Sequence, residues 1–268
     1  MVDQLSRAQD EFRELDEMAA GRSVIHRLHP LCKLIVTIAY IFCVVSFHKY
    51  DFSGLAVMLL YPVVLFQAAK IPMHVCFYKL RMVLPLVCAV GLANPFLDHR
   101  PVILIGNLVI TGGVVSMLTL MLKGCLALMA SFLLVATTPI DRLCGALRKV
   151  HVPKTLTTLL LLVYRYIGVM LGEASAMVQA YSLRAPGQKG IHVKAWGSFL
   201  GQLLLRSADR AQELYSSMLL RGFCGEFFYS EVPACGVGSV LFTGGSMAFF
   251  VCARLVNIAQ LIGTWVVK

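Results

Sequence analysis

VVSMLTLMLKGCLALMASFLLVAT, residues 114–137, is an apolar run carrying a single charge, Lys123. At about 1.5 Å per residue it crosses roughly 30 Å of hydrocarbon as one helix, and that reading decides the class of the chain. A lysine is costly against lipid, so the side bearing Lys123 turns toward other helices or water. The rest of the sequence agrees. Apolar residues make up 58%, charged ones 14%, and the mean hydropathy is +0.77, more apolar than one soluble core of this length uses. The fold class is an all-α polytopic membrane protein with about five transmembrane helices (range 4–6) and a cytoplasmic amphipathic coupling-helix module.

Working outward toward the N-terminus, the β-branched runs around Gly106-Asn107 read as a short hairpin near 102–111. A third span at 82–97 carries Pro85 and Pro95, and a basic linker holds Lys70, Lys79 and Arg81. The second span, 52–69, contains Pro62, which kinks a membrane helix more often than it ends one. His48 to Asp51 form a tight turn after the first span, 31–47. The chain therefore divides into a polar cytoplasmic N-terminal segment 1–30, helices 1–4 over 31–137, a cytoplasmic module 138–233, and a last span within 234–268 containing Arg254. Residues 1–30 suit a surface helix or a disordered tail, and they show no short apolar core with a cleavage site, so no signal peptide is expected.

The 138–233 segment holds 11 of the 24 Lys and Arg residues. Leu203, Leu204, Ala208, Ala211, Tyr215, Met218 and Leu219 recur there at helical spacing, with Arg206, Arg210 and Glu213 between them. Placing this basic excess inside puts the N-terminus and the 70–81 linker on the cytoplasmic side, and the hairpin and C-terminus outside. Nine cysteines, none in a Cys-x-x-Cys pair and most within apolar runs, read as packing residues with no disulfide framework and no zinc site.

Two helix ends in this segment match. Ala180 to Gly187 reads AYSLRAPG and Ser217 to Phe223 reads SMLLRGF, so Arg184 and Arg221, 37 positions apart, each sit on a last turn stopped by small or helix-breaking residues. An arginine there complements the helix dipole, and its planar fork makes paired bonds to carboxylates or carbonyls that lysine does not reproduce. Two similar cationic knobs suit a symmetric partner. The bland alternative is a pair of ordinary cations on a solvated face.

These residues resemble a family. Thr137-Thr138-Pro139, Val152-Pro153, Tyr164-Arg165-Tyr166, Glu173, Leu183-Arg184, Leu205-Arg206-Ser207-Ala208-Asp209-Arg210-Ala211 and Arg221-Gly222-Phe223-Cys224-Gly225 resemble the transmembrane T component of energy-coupling factor (ECF) transporters, CbiQ type. The resemblance implies a non-catalytic scaffold that couples two cytoplasmic ABC ATPase subunits to a CbiM-like membrane subunit that binds the substrate, cobalt. In the family an x-Arg-x triplet ends each of two coupling helices and docks on one ATPase. The matching triplets are Leu183-Arg184-Ala185 and Leu220-Arg221-Gly222, with leucine where the family usually has alanine. The chain itself is then expected to bind no cofactor: ATP and Mg belong to the ATPases and the metal to the substrate subunit. The bilayer is its other partner, and no nucleic acid is.

Other polar residues carry weaker signals. His26 and His29 have the i, i+3 spacing of a ligand pair but no evident carboxylate or thiol partner, which favours an interfacial or capping role. Arg165 and Glu173 share a helix face two turns apart, and Arg206, Arg210 and Glu213 read as a locally paired solvated face. Gly112-Gly113 and Gly244-Gly245 precede no Lys-Ser/Thr, so neither is a P-loop. A membrane enzyme would need acidic residues the spans hardly supply. A stand-alone carrier lined by Lys123 and Arg254, or the same scaffold role for nickel or a vitamin, are the alternatives.

Overall fold

The computed structural model describes residues 2–21, 23–48, 52–92, 101–105, 108–188, 190–225 and 236–255. The chain divides into two compact units, Ala19–Thr138 with Pro233–Lys268, and Met1–Met18 with Pro139–Val232.

The first is the membrane unit. Its helices are α2 (Pro30–Ser46), α3 (Phe52–Met58), α4 (Leu60–Ala69), α5 (Met73–Gly91), α6 (Gly112–Thr137) and α10 (Val237–Leu255). Proline opens α2 and His29 caps it, its Nδ1 accepting from the Leu31 N–H at 3.2 Å. The second expected span is two helices that meet at Leu59. Pro62 has no N–H to give the Met58 carbonyl one turn back. The hydroxyl of Tyr40, itself fully buried, donates to that carbonyl at 3.0 Å and satisfies it. Tyr40 also stacks on Tyr61 at 4.8 Å and meets Phe250 of α10 at 5.4 Å, at the centre of a core with Val36, Val44, Leu55, Met58 and Leu126.

α5 begins at Met73, not at Met82, because extended Pro72 starts a helix that runs through the expected basic linker and through Pro85. Residues 93–97 of the expected third span, 49–51 of the expected turn and 256–267 of the last span lie outside the described residues. β1 (Pro101–Ile105) and β2 (Leu108–Thr111) pair antiparallel with Ile105 opposite Leu108, while Gly106-Asn107 of the expected hairpin lie outside the described residues. α6 packs on α5 closely at Gly124, where an added Cβ would meet Val87 Cγ1 at 3.0 Å.

Two lysines join α2 to α6 in opposite directions. Lys33, buried near the start of α2, donates from Nζ to the Thr137 carbonyl at 2.8 Å and to Thr138 Oγ1 at 3.3 Å, at the C-terminus of α6. Lys123 of α6 donates to the Val45 and Phe47 carbonyls, at the C-terminus of α2. Each cation meets carbonyls that the helix cannot use itself, at the negative end of its dipole. Arg254 lies over the Phe47 ring, 4.8 Å from its centroid.

The second unit holds α1 (Val2–Ala19, up to Met18), α7 (Ile140–Lys149), α8 (Lys154–Arg184) and α9 (Val193–Leu220). The N-terminal segment is thus a helix from Val2, not a tail. Phe12 packs on Tyr164 of α8, ring centroids 4.8 Å apart, and the Tyr164 hydroxyl donates to the Asp16 carboxylate. α7 buries Cys144, Gly145 and Ala146. Burial pushes the Cys144 thiol above its ordinary pKa, with Asp141 adding to the effect, so it packs as a small apolar group. α7 ends with His151 in the left-handed region, φ 67°, and bonds from Val152 N to Leu147 O and from His151 N to Arg148 O.

Three helices among the described residues are long and apolar enough to cross a membrane: Gly112–Thr137, Lys154–Arg184 and Val237–Arg254. Pro30–Ser46 and Gly54–Ala69 are shorter apolar stretches. The chain is an all-α multi-pass membrane protein. One of the three, α8, falls inside 138–233, where composition averaged over the whole segment reads as polar. Its apolar residues are concentrated between Leu156 and Met170, and the charges of the segment lie mostly on α7, α9 and the connections.

Candidate functional site

The two arginine-bearing ends terminate the two longest helices of the second unit, and they are finished by different caps. At the first, Arg184 is the last residue of α8, and Ala185 turns out of the helix with φ −126° and ψ 67°. A turn follows with Pro186 and Gly187 in the middle, Gly187 at φ +94°, closed by Gln188 N to Ala185 O at 3.3 Å. The loop is tied back to the helix by Tyr181, whose hydroxyl donates to Gln188 Oε1 at 3.0 Å. At the second, α9 ends on Leu220 and Arg221 is the cap. Gly222 takes φ +78°, with Phe223 N bonded to Met218 O and Gly222 N to Leu219 O, the paired closure that a left-handed glycine permits.

Five of the six triplet residues are exposed. Leu183 is 78% exposed and Leu220 is 90% exposed. Arg184 and Arg221 are exposed too, and among the described residues no hydrogen bond or ion pair holds either guanidinium. Ala185 is half-buried and Gly222 exposed. The structure therefore places all six predicted residues at two helix tips, each offering one cationic and one apolar side chain.

Between α8 and α9 runs an open groove of about 650 Å³, walled by Leu159, Val163, Ile167, Leu214 and Met218, with Arg210 and Tyr215 also lining it. The lining of the groove is mostly apolar.

Residues 21–230 match the CbiQ family model, described as cobalt transport protein. The chain belongs to that family. It is similar to the energy-coupling factor transporter transmembrane protein EcfT of Bacillus selenitireducens, 26% identical over 226 residues, 79% of this chain and 84% of that one. The cobalt transport protein CbiQ of Rhodobacter capsulatus is 32% identical over 94 residues, 35% of this chain and 38% of that one. A putative fused cobalt transport protein CbiMQ of Methanocorpusculum labreanum is 32% identical over 108 residues, 40% of this chain and 18% of that one. The T-component resemblance read from the sequence holds, and α1 precedes the part that the family model matches.

Other polar residues of this CbiQ-family chain have local partners. Glu173 pairs with Arg206 across α8 and α9 at 2.8 Å, not with Arg165. Arg210 lies 3.7 Å from Glu213. His26 takes a hydrogen bond with Ser23 at 2.7 Å and His29 caps α2, both buried. No group of three His, Cys, Asp or Glu positioned for a metal ion is present among the described residues, and eight described cysteines are free. Gly244 and Gly245 lie within α10 with open space where a Cβ would stand, so neither makes a close helix contact among the described residues. Sequence reasoning did not single out Lys33 or the Tyr181–Gln188 tie. A lysine one turn into an apolar helix was the available signal for the first.

Proposed function

We propose that this T component couples two cytoplasmic ABC ATPase subunits to a CbiM-like membrane subunit that binds cobalt. The observation that carries the proposal is the pair of exposed arginines at the ends of α8 and α9, neither held by a hydrogen bond or ion pair among the described residues. A free guanidinium on a helix C-terminus is pre-oriented for a carboxylate or carbonyl supplied by another chain. Two tips of one kind suit a partner present in two copies. The chain supplies no catalytic group in this reading and holds neither nucleotide nor metal; those reside in the partners.

The coupling is mechanical. ATP binding draws the ATPases together, each carries one arginine-tipped helix with it, and the movement changes the surface that α8 and α9 present to the substrate subunit. Such a drive needs a binding preference that differs between nucleotide states. The apolar groove and the uncovered residues Leu156, Leu159, Leu160 and Val163 of α8 call for lipid or an apolar membrane partner. The fused CbiMQ relative supports a CbiM-like subunit as that partner, and the CbiQ relative supports cobalt.

Purification of the tagged chain from its native membrane tests the reading. Two ATPase copies and one membrane subunit are expected to come down together, and uptake of radioactive cobalt to require all of them. Nickel uptake in preference to cobalt would reassign the metal. Transport by this chain expressed alone would replace the scaffold with a self-sufficient carrier.

A further inference from the structure

Leu183 and Leu220 immediately precede the two arginines, and both are exposed. Leu220 is 90% exposed, more than any other large apolar residue described, and Leu183 at 78% exceeds every other large apolar residue of α8. Both belong to the last turn of a helix whose buried face lies elsewhere: α8 buries Thr157, Thr158, Ala174 and Val178, and α9 buries Met218. Neighbouring helix positions differ by about 100° around the axis, so each leucine points away from the direction of its arginine. A tip thus meets a partner at two adjoining spots, one apolar and one accepting. The pattern occurs twice, on unlike caps, so the cap geometry does not account for it.

We infer that Leu183 and Leu220 are apolar anchors, each entering a hydrophobic pocket beside the acceptor that receives its arginine on one ATPase subunit. The inference rests on the coupling reading and deepens it. It assigns the partner a composite groove, apolar and acidic side by side, deep enough for four side-chain carbons where alanine would bring one. A leucine in such a pocket strengthens binding about ten- to a hundredfold. It also gives the contact a part that salt does not weaken, whereas an exposed arginine contact is screened. Pairing with the right ATPases then depends on the leucines as well as the arginines.

The test uses the complete membrane complex, stripped of its ATPases and held in nanodiscs, with the ATPase pair titrated back at low and at high salt. Leu183→Ala/Leu220→Ala is compared with Arg184→Gln/Arg221→Gln and with wild type. All four positions are exposed, and melting curves of the variants verify that each is folded. The expected result is a loss of at least tenfold in affinity for the leucine variant, the same at both salt concentrations, and a loss for the arginine variant that shrinks as salt rises. Wild-type affinity in the leucine variant beside weakened binding in the arginine variant would overturn the anchor role and leave the coupling reading standing. Wild-type affinity in both variants would overturn the coupling reading, and the anchors with it.

Discussion

The membrane unit and the α7–α9 unit both place cations at helix C-termini, and they put them to opposite uses. Lys33 and Lys123 reach the last carbonyls of α6 and α2 within one unit, so that each helix closes the end of the other. Arg184 and Arg221 sit on the ends of α8 and α9 with no such partner among the described residues. The same dipole physics is consumed internally in the first case and left open in the second. Residue type follows the use. Lysine delivers a compact charge to carbonyls inside the membrane unit, while arginine offers a rigid fork that, in the proposed coupling, receives a planar acceptor from an ATPase.

If that contrast is right, removing an internal cation damages the fold and removing a tip cation does not. Lys33→Met leaves the Thr137 carbonyl without its charged donor in a buried site, at a cost of about 2–3 kcal/mol, read as a lower melting temperature in detergent. Arg184→Ala, measured alongside, is expected to stay within about 0.5 kcal/mol of wild type. Equal melting temperatures for Lys33→Met and wild type would break the comparison. A smaller loss is expected for Tyr40→Phe, about 1–2 kcal/mol, since the Met58 carbonyl freed by Pro62 loses its substitute donor.

Next in size is Gly222→Ala, about 1 kcal/mol, because alanine at φ +78° is strained. Its effect should appear as fraying of the α9 tip in hydrogen exchange, leaving the α8 tip unchanged and showing that the two caps are independent. The smallest belongs to Arg206→Gln. The Arg206–Glu173 pair is half-exposed, so its loss should cost no more than about 1 kcal/mol, and high salt should erase the difference from wild type.

The tips were legible in the sequence because each signal is local: Leu-Arg followed at once by small or breaking residues, occurring twice. α2 and α6 were legible for a similar reason, since long apolar runs permit little else. The lysine caps were not, because their acceptors are backbone carbonyls, Thr137 for Lys33 and Phe47 for Lys123, and a carbonyl leaves no mark in a residue pattern. The kink expected from Pro62 appears at Leu59, whose backbone stays helical, while Tyr40 as the substitute donor is visible only in the structure. α8 was absorbed into a polar segment since composition taken over 138–233 averages its apolar run with the charged residues around it. The start of α5 was misplaced because Lys79 and Arg81 read as linker, whereas a helix accommodates both.

The central claim is that the tip arginines serve another chain. Its most direct test is the Arg184→Glu/Arg221→Glu variant, purified by tag from its native membrane beside wild type, with co-purifying subunits counted and melting temperatures compared. The account predicts a chain as stable as wild type that keeps its membrane subunit and loses both ATPases. A variant that retains the ATPases in wild-type amounts would contradict it.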